Sequence, residues 1–177
     1  MQSYDVIVVG AGAMGSAATY RLARRGCRVL ALDAHAPPHR LGSTHGGTRI
    51  IREAYYEHPL YVPLVRRAFE CWAEVEAESG RTLYVRTGGL MVGPADGAGI
   101  AGARASAGEH GIPHELLGPD EARRASPQLR VPEGMAALLE HRAGILFPEA
   151  CVETHLGLAR AHGAETRFGE AGGEWKG

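Results

Sequence analysis

Residues 4–15 read YDVIVVGAGAMG, and this stretch decides how the rest of the chain is interpreted. Its Val6–Val9 run is apolar and β-branched and ends at a glycine, which is typical of a short strand buried on both faces of a parallel sheet. Gly10, Gly12 and Gly15 then match the pattern G-x-G-x-x-G. The stretch therefore predicts a strand followed by a tight turn, after which a helical pattern begins.

Each glycine of this motif has its own physical reason. Gly10 allows the tight turn, Gly12 lets the backbone approach a pyrophosphate, and Gly15 lets the following helix, predicted over residues 17–25, pack closely on the strand. The phosphates would accept hydrogen bonds from the N–H groups at the helix N-terminus, where the helix dipole also favours negative charge.

A second strand and an acidic residue complete the expected unit. Residues 28–32, RVLAL, predict the second strand, and Asp33 stands at its end, eighteen residues beyond Gly15. A carboxylate about 20 residues beyond the glycines is expected to bind an adenosine ribose. This order of elements predicts dinucleotide binding. An acid at position 33 disfavours the 2′-phosphate of NADP, but these residues leave both FAD and NAD open.

Composition narrows the class of protein. The chain has 177 residues, 45% of them hydrophobic and 22% charged, which describes a globular protein with a real core. A net charge of −1 gives no electrostatic reason to expect nucleic acid or an acidic membrane as a partner. We find no apolar run long enough to span a membrane and no secretory signal, so we expect a cytoplasmic protein. The oligomeric state stays open.

The cysteines and histidines do not predict a metal site. Three cysteines are widely spaced: Cys27, Cys71 and Cys151. We expect them to be buried, reduced thiols. Two histidine pairs have a spacing of four residues, His35 with His39 and His110 with His114. Prolines interrupt both pairs, so neither pair is expected to share a helix face.

The segment after Asp33 is the best candidate for a ligand-binding loop. Residues 34–47, AHAPPHRLGSTHGG, are rich in proline and glycine and begin at the strand edge where open α/β sheets bind ligands. Residues 48–56, TRIIREAYY, predict a helix that would carry Arg49 and Arg52 on one side. Their place directly after the loop favours a binding role over an ordinary solvated face.

The remainder of the chain predicts a second domain of a different kind. Helices are predicted over residues 59–78, 95–109, 119–125 and 148–162, and strands over residues 82–86, 90–92, 135–139, 145–147 and 166–168. Short strands mixed with unrelated helices favour an antiparallel sheet. We therefore predict a dinucleotide-binding domain over residues 1–84, a partial substrate domain over residues 85–141 and a return to the first domain over residues 142–177. Residues 169–177 show no periodicity, and we expect the chain to be the front part of a longer protein.

Four segments carry a resemblance to a known family: VIVVGAGAMGSAATYRLARRG, DAHAPPHRLGSTHGGTRIIREAY, YVPLVRRA and GILFPE. They resemble the amino-terminal half of the monomeric sarcosine oxidase and N-methyltryptophan oxidase family, within the D-amino-acid-oxidase-like superfamily. GSTHGGTRIIR is the most specific segment. The resemblance runs from residue 2 to about residue 168 and implies a Rossmann-like α/β domain that binds FAD, with part of an antiparallel α+β substrate domain.

The resemblance also implies roles for individual residues. The ADP half of FAD would be held by Gly10, Ala11, Gly12, Met14, Gly15, Asp33 and Ala34. The pyrophosphate and the flavin would be lined by Ser43, Thr44, His45, Arg49 and Ile50. Arg49 would lie against the flavin ring, Arg52 would bind the substrate carboxylate, and His45 would position flavin or substrate.

The implied activity is oxidation of the C–N bond of a secondary amino acid, such as sarcosine or another N-methyl or cyclic amino acid. Hydride would pass to the flavin, and oxygen would be reduced to hydrogen peroxide. Many relatives read His-His-Gly-Asp where this chain has Thr44-His45-Gly46-Gly47, so the resemblance does not assign the substrate of those relatives to this chain. The family's covalent flavin cysteine and oxygen-activating lysine lie in its second half. Cys27, Cys71 and Cys151 do not match that cysteine, so we expect non-covalent FAD, and Lys176 does not replace that lysine, so we expect the flavin to react poorly with oxygen. Two alternatives stay open, an NAD-dependent dehydrogenase and a truncated FAD-binding chain without activity.

Overall fold

The computed structural model describes residues 3–169, which divide into two compact units. The first unit contains residues 3–49, 74–83 and 146–169, and the second contains residues 50–73 and 84–145. In chain order the elements are β1 (Val6–Val9), α1 (Ala13–Arg24), β2 (Val29–Asp33), β3 (Arg49–Ile51), α2 (Tyr61–Ser79), β4 (Tyr84–Arg86), β5 (Gly89–Pro94), α3 (Ala98–Glu109), β6 (His114–Leu117), α4 (Pro119–Ala125), β7 (Met135–Glu140), β8 (Gly144–Leu146), α5 (Pro148–Ala161) and β9 (Glu165–Phe168). Residues 50–73, residue 84 and residues 142–145 thus group with the second unit, whereas the sequence-based boundaries assign them to the dinucleotide-binding domain.

The first unit is built on a parallel sheet with the strand order β1-β2-β9. Val6 is in register with Val29, and Leu30 is in register with Glu165. This pairing confirms the predicted βαβ unit and the return of the last strand to the first sheet. The prediction that β1 is buried on both faces is wrong for the described residues. Val9 is 62% exposed, because no described residue covers that face of the strand.

Helix α1 lies on this sheet and begins four residues ahead of its predicted start at residue 17. A Cβ atom at Gly15 would lie 1.7 Å from the carbonyl oxygen of Gly10, so only glycine lets the helix lie this close to the turn. Helix α1 also packs against α5. A small buried cluster joins the turn to α5 and consists of Ala11, Val152 and Leu156, with Phe168 packed against it.

The second unit contains an antiparallel sheet with the strand order β5-β7-β6, which confirms the predicted change of architecture. In the central strand Leu138 is in register with Met91 on one side and Leu116 on the other. A core cluster of this unit consists of Ala54, Val62, Ile100, Ala103, Ala107, Ile112, Ala136 and Leu138. Strand β6 was not predicted, because its sequence HELL has no alternation and its extended form depends on pairing with β7.

The prediction of a helix over residues 48–56 is wrong. Residues 49–51 form β3 instead, which pairs with β8 in a third sheet of order β3-β8-β4. Ile50 and Ile51 are β-branched, and such residues favour a strand once a partner strand is available. The inference that Arg49 and Arg52 share one side of a helical turn fails with the helix.

The remaining predictions have mixed outcomes. The long helix predicted over residues 59–78 is confirmed as α2. Cys151 is buried, and its burial raises the pKa of its thiol to about 11, whereas Cys27 and Cys71 are only half-buried. No helix within residues 3–169 is long and apolar enough to cross a membrane. The irregular tail predicted over residues 169–177, with Lys176, lies beyond the described residues except for Gly169.

Candidate dinucleotide site and substrate cavity

The glycine turn leads directly into an open helix N-terminus. Gly12 is the N-cap residue of α1 and has no side chain of its own to cap the helix, and the first turn of α1 contains no acidic residue. The backbone N–H of Ala13 donates to the hydroxyl oxygen of Thr44 at 3.3 Å. Among the described residues, only this hydroxyl oxygen lies within 4 Å of the position that a Cβ atom would take at Gly12. The turn therefore presents backbone N–H groups and a positive helix end without a bulky side chain over them.

Asp33 lies at this turn and is fixed by hydrogen bonds. Its Oδ2 accepts a hydrogen bond from the backbone N–H of Ala11 at 2.7 Å, and its Oδ1 accepts one from the backbone N–H of His35 at 2.9 Å. The Nε2 atom of His39 lies 3.4 Å from Oδ1. Burial works to raise the pKa of Asp33, but these hydrogen bonds outweigh it, so the pKa lies below its ordinary value. The carboxylate is therefore ionised beside the turn.

Residues 43–49, here called the arginine loop, fold around the side chain of Arg49. Its guanidinium donates to three backbone carbonyls, those of Thr48 at 2.8 Å, Ser43 at 3.0 Å and His45 at 2.5 Å. The ring Nδ1 of His45 lies 2.8 Å from the carbonyl oxygen of Gly42. The predicted flavin-lining residues of this loop are thus held together by one of their own members.

Glu149 is a further residue of this region, and the sequence analysis did not find it. It lies in the first turn of α5, and its carboxylate accepts hydrogen bonds from the backbone N–H groups of Gly46 at 2.8 Å and Gly47 at 3.5 Å. The bond from Gly46, above all, lowers the pKa of Glu149. The signals in the sequence were an acidic residue directly after Pro148 at the start of a predicted helix and its place at the end of the GILFPE segment.

Arg52 belongs to the second unit and lies over aromatic rings. The carbon at the centre of its guanidinium is 4.7 Å from the ring centre of Tyr55 and 5.3 Å from that of Tyr56. It donates to the carbonyl oxygen of Ala54 at 2.7 Å, and a weaker contact at 3.4 Å reaches the carboxylate of Glu57. The tyrosine rings and the Ala54 carbonyl fix the position of the guanidinium, whereas the Glu57 side chain that it also reaches is 42% exposed.

Arg52 also lines a cavity of about 400 Å³ that lies entirely within the second unit. Most of its lining is apolar, from residues such as Leu90, Met91 and Leu138. Its other charged lining residue is Glu140, whose carboxylate already accepts the backbone N–H groups of Glu53 and Ala54 at 2.6 and 2.8 Å. Arg52 is therefore the one cationic residue among the described residues that line the cavity, and it shares a mostly apolar lining with the Glu140 carboxylate.

Three other predicted cofactor-binding residues have exposed side chains. Met14 is 86% exposed and Ile50 is 76% exposed, and Ala34 is also exposed. In the part of the chain that the structure describes, no group of three or more His, Cys, Asp or Glu side chains could hold a metal ion. His35 and His39 instead stack edge to face, with ring centres 5.2 Å apart.

Comparison with known proteins decides the family. A family model described as FAD dependent oxidoreductase (DAO) matches residues 5–175. The chain belongs to this family. Its resemblance to sarcosine and N-methyltryptophan oxidases, its fold class and FAD as the cofactor are thereby confirmed, and the NAD alternative is set aside.

Individual relatives agree with this assignment. The chain is similar to monomeric sarcosine oxidase of Streptomyces avermitilis, with 46% identity over 174 residues, 98% of this chain and 45% of the relative. It is also similar to N-methyl-L-tryptophan oxidase of Salmonella arizonae, with 42% identity over 165 residues, 93% of this chain and 44% of the relative. The chain thus spans less than half the length of these curated relatives.

A solved structure shows the same fold. The open form of NikD, described as an unusual amino acid oxidase essential for nikkomycin biosynthesis, matches with a TM-score of 0.83 and 28% identity. The match covers 96% of this chain and 44% of that chain. The residues of the first unit also fit FAD on their own geometry, because a helix N-terminus that only the small Thr44 hydroxyl approaches, an open surface at Gly12 and an ionised Asp33 meet at one turn.

Proposed function

We propose that this FAD-dependent oxidoreductase oxidises the C–N bond of a secondary amino acid, an N-methyl or cyclic amino acid such as sarcosine. The observation that carries the proposal is Arg52, the one cationic residue in the mostly apolar lining of this cavity, whose Glu140 carboxylate is already bonded to the backbone N–H groups of Glu53 and Ala54. A cation in an apolar surrounding is suited to a substrate that joins a carboxylate to a small apolar body. The names of the relatives, which act on sarcosine and N-methyl-L-tryptophan, support the same class of substrate.

In this proposal the first unit binds the cofactor. The N–H groups at the start of α1 would hold the diphosphate, and Asp33 would accept hydrogen bonds from the adenosine ribose. When bound, FAD would accept a hydride from the carbon next to the amine nitrogen and return the electrons to oxygen, giving hydrogen peroxide. Oxygen and the amino acid are thus the proposed small-molecule partners.

The arginines would have separate roles. Arg49 would place its charge beside the flavin ring, where a fixed cation stabilises negative charge without moving. Arg52 would exchange its contact with Glu57 for the substrate carboxylate and keep its position on the tyrosine rings. His45 would position flavin or substrate, since its ring is already oriented by Gly42.

The test compares two amines that differ only in the acid group. The purified chain is loaded with FAD, its visible spectrum is recorded, and peroxide release is measured with sarcosine and with N-methylethylamine, which has no carboxylate. The proposal predicts a bound-flavin spectrum and turnover of sarcosine that the amine does not match. Equal turnover of both amines contradicts carboxylate recognition, and bound FAD without any peroxide favours the alternative of a chain without activity.

A further inference from the structure

The arginine loop is held from two sides. From inside, the guanidinium of Arg49 gathers the carbonyls of three loop residues. From outside, the carboxylate of Glu149 receives the N–H groups of Gly46 and Gly47. The loop backbone therefore has its acceptors directed to a cation and two of its donors directed to an anion, and both charged groups belong to the first unit.

The loop conformation that makes this possible needs glycine at position 46. Gly46 has a φ angle of +125°, which side chains rarely adopt. A Cβ atom there would also lie 3.1 Å from Nη1 of Arg49. The sequence Thr44-His45-Gly46-Gly47 is thus compatible with an N–H group that faces Glu149 while the neighbouring carbonyl of His45 faces Arg49.

Glu149 is well suited to transmit position, because its own helix is fixed. Val152 and Leu156 of α5 are buried, and they pack against Ala11 inside the glycine turn. A carboxylate in the first turn of a helix is also favoured by the helix dipole. One side chain thus joins the arginine loop to the same packed cluster that supports the glycine turn.

We propose that Glu149 is a positioning residue for FAD binding. Its side chain sets the distance between the arginine loop and the diphosphate-binding turn. This inference rests on the proposed role of the loop as a wall of the flavin site. Glu149 does not contact the cofactor in this account. It acts through the N–H groups of Gly46 and Gly47, and its removal is expected to loosen the loop while the glycine turn keeps its own geometry.

The first readout needs no cofactor. Hydrogen exchange of the Gly46 and Gly47 amides is measured by NMR in the unliganded chain and in its Glu149→Gln and Glu149→Ala variants. We expect exchange about tenfold faster in Glu149→Ala and a smaller change in Glu149→Gln, whose amide oxygen still accepts a hydrogen bond. Glu153→Ala is the matched control, since Glu153 lies one turn further along α5 and pairs with Arg81 instead. Unchanged exchange in Glu149→Ala overturns the inference.

The second readout is the dissociation constant for FAD. We expect about tenfold weaker binding in Glu149→Ala, partial recovery in Glu149→Gln and no change in Glu153→Ala. A loosened loop with unchanged FAD affinity contradicts the positioning role, although the hydrogen bonds themselves would then be real. Failure of the unsubstituted chain to bind FAD contradicts the proposed function and this inference with it, whereas failure of the variant alone to respond contradicts only the inference.

Discussion

Residues 43–49 and residues 50–57 are neighbours in sequence, and each is organised around one arginine. In the first, the Arg49 guanidinium donates to carbonyls of its own backbone. In the second, the Arg52 guanidinium lies on two tyrosine rings, donates to one backbone carbonyl, that of Ala54, at 2.7 Å and reaches an exposed carboxylate at 3.4 Å. Bonds to backbone carbonyls are part of the fold, whereas a bond to an exposed side chain can be exchanged for a similar ligand group.

This difference separates two uses of the same side chain three positions apart. Arg49 is suited to holding a loop in one conformation, since its removal would leave three carbonyls without their donor. Arg52 is suited to recognition, since its ring contacts keep the guanidinium in place when its carboxylate partner changes. The comparison predicts that substitutions at the two positions affect different measurements.

The largest effect is expected for Arg49→Met. Hydrogen bonds from a charged donor contribute about 1.5–3 kcal/mol each, and the lower value applies here because Arg49 is exposed. Loss of the three bonds is therefore expected to weaken FAD binding on the order of 1000-fold through disorder of the loop. Titration of the unliganded chain with FAD measures this effect. Arg52→Met serves as the control, because it is expected to leave FAD affinity unchanged. Equal losses from both substitutions would break the comparison.

Acid is expected to lower the stability of helix α5, which carries Glu149 of the arginine-loop contact and also carries His155. Burial lowers the pKa of His155 from 6.5 to about 4, so the folded protein keeps this ring neutral where the unfolded chain protonates it. The difference between the two pKa values makes the free energy of unfolding depend on pH. The stability is at its full value above about pH 6.5 and falls by up to about 3 kcal/mol as the pH is lowered towards 4.

Urea unfolding at pH 7 and pH 4.5 measures this loss. His155→Phe keeps a ring against Tyr20, whose centre lies 5.7 Å from that of His155, and removes the titrating group. We expect a smaller loss of stability on acidification in this variant. The same pH dependence with and without the histidine would remove His155 as its cause.

A smaller effect is expected for Arg52→Met on the substrate. Loss of one charge-assisted pair is expected to raise the KM for sarcosine about 30-fold, with little change in FAD affinity. Steady-state peroxide release gives KM and kcat separately. Arg52→Lys keeps the charge without the planar fork, so we expect it to recover part of the loss. A normal KM in Arg52→Met would show that another group binds the carboxylate.

The sequence predicted the parts of the fold that depend on local chemistry. The strand, glycine turn and helix of residues 4–24 follow from neighbouring residues, and the position of Asp33 follows from its spacing. The helix predicted over residues 48–56 failed because β3 depends on pairing with β8, which lies almost a hundred residues away. Local propensity cannot report a partner so distant along the chain.

The candidate site shows the same limit. Asp33, Thr44 and Arg49 lie in or next to motifs, and the structure places them at the turn or in the loop beside it. Glu149 lies more than a hundred residues from the glycines that it contacts, and its own neighbourhood marks it only as an acidic residue at the start of a predicted helix, at the end of the GILFPE segment. The apolar cavity around Arg52 likewise depends on strands brought together by the antiparallel sheet.

One titration tests the central claim that the glycine turn and Asp33 form the dinucleotide site. FAD is titrated into the unliganded chain and into Asp33→Asn, which keeps an oxygen for the Ala11 N–H but loses the charge that the ribose would use. Asp5→Asn is the control, since Asp5 also accepts a backbone N–H, from Arg28, away from the turn. We expect the unsubstituted chain and Asp5→Asn to bind FAD alike and Asp33→Asn to bind at least tenfold more weakly. Equal affinity in all three proteins, or no binding by the unsubstituted chain, would contradict the claim.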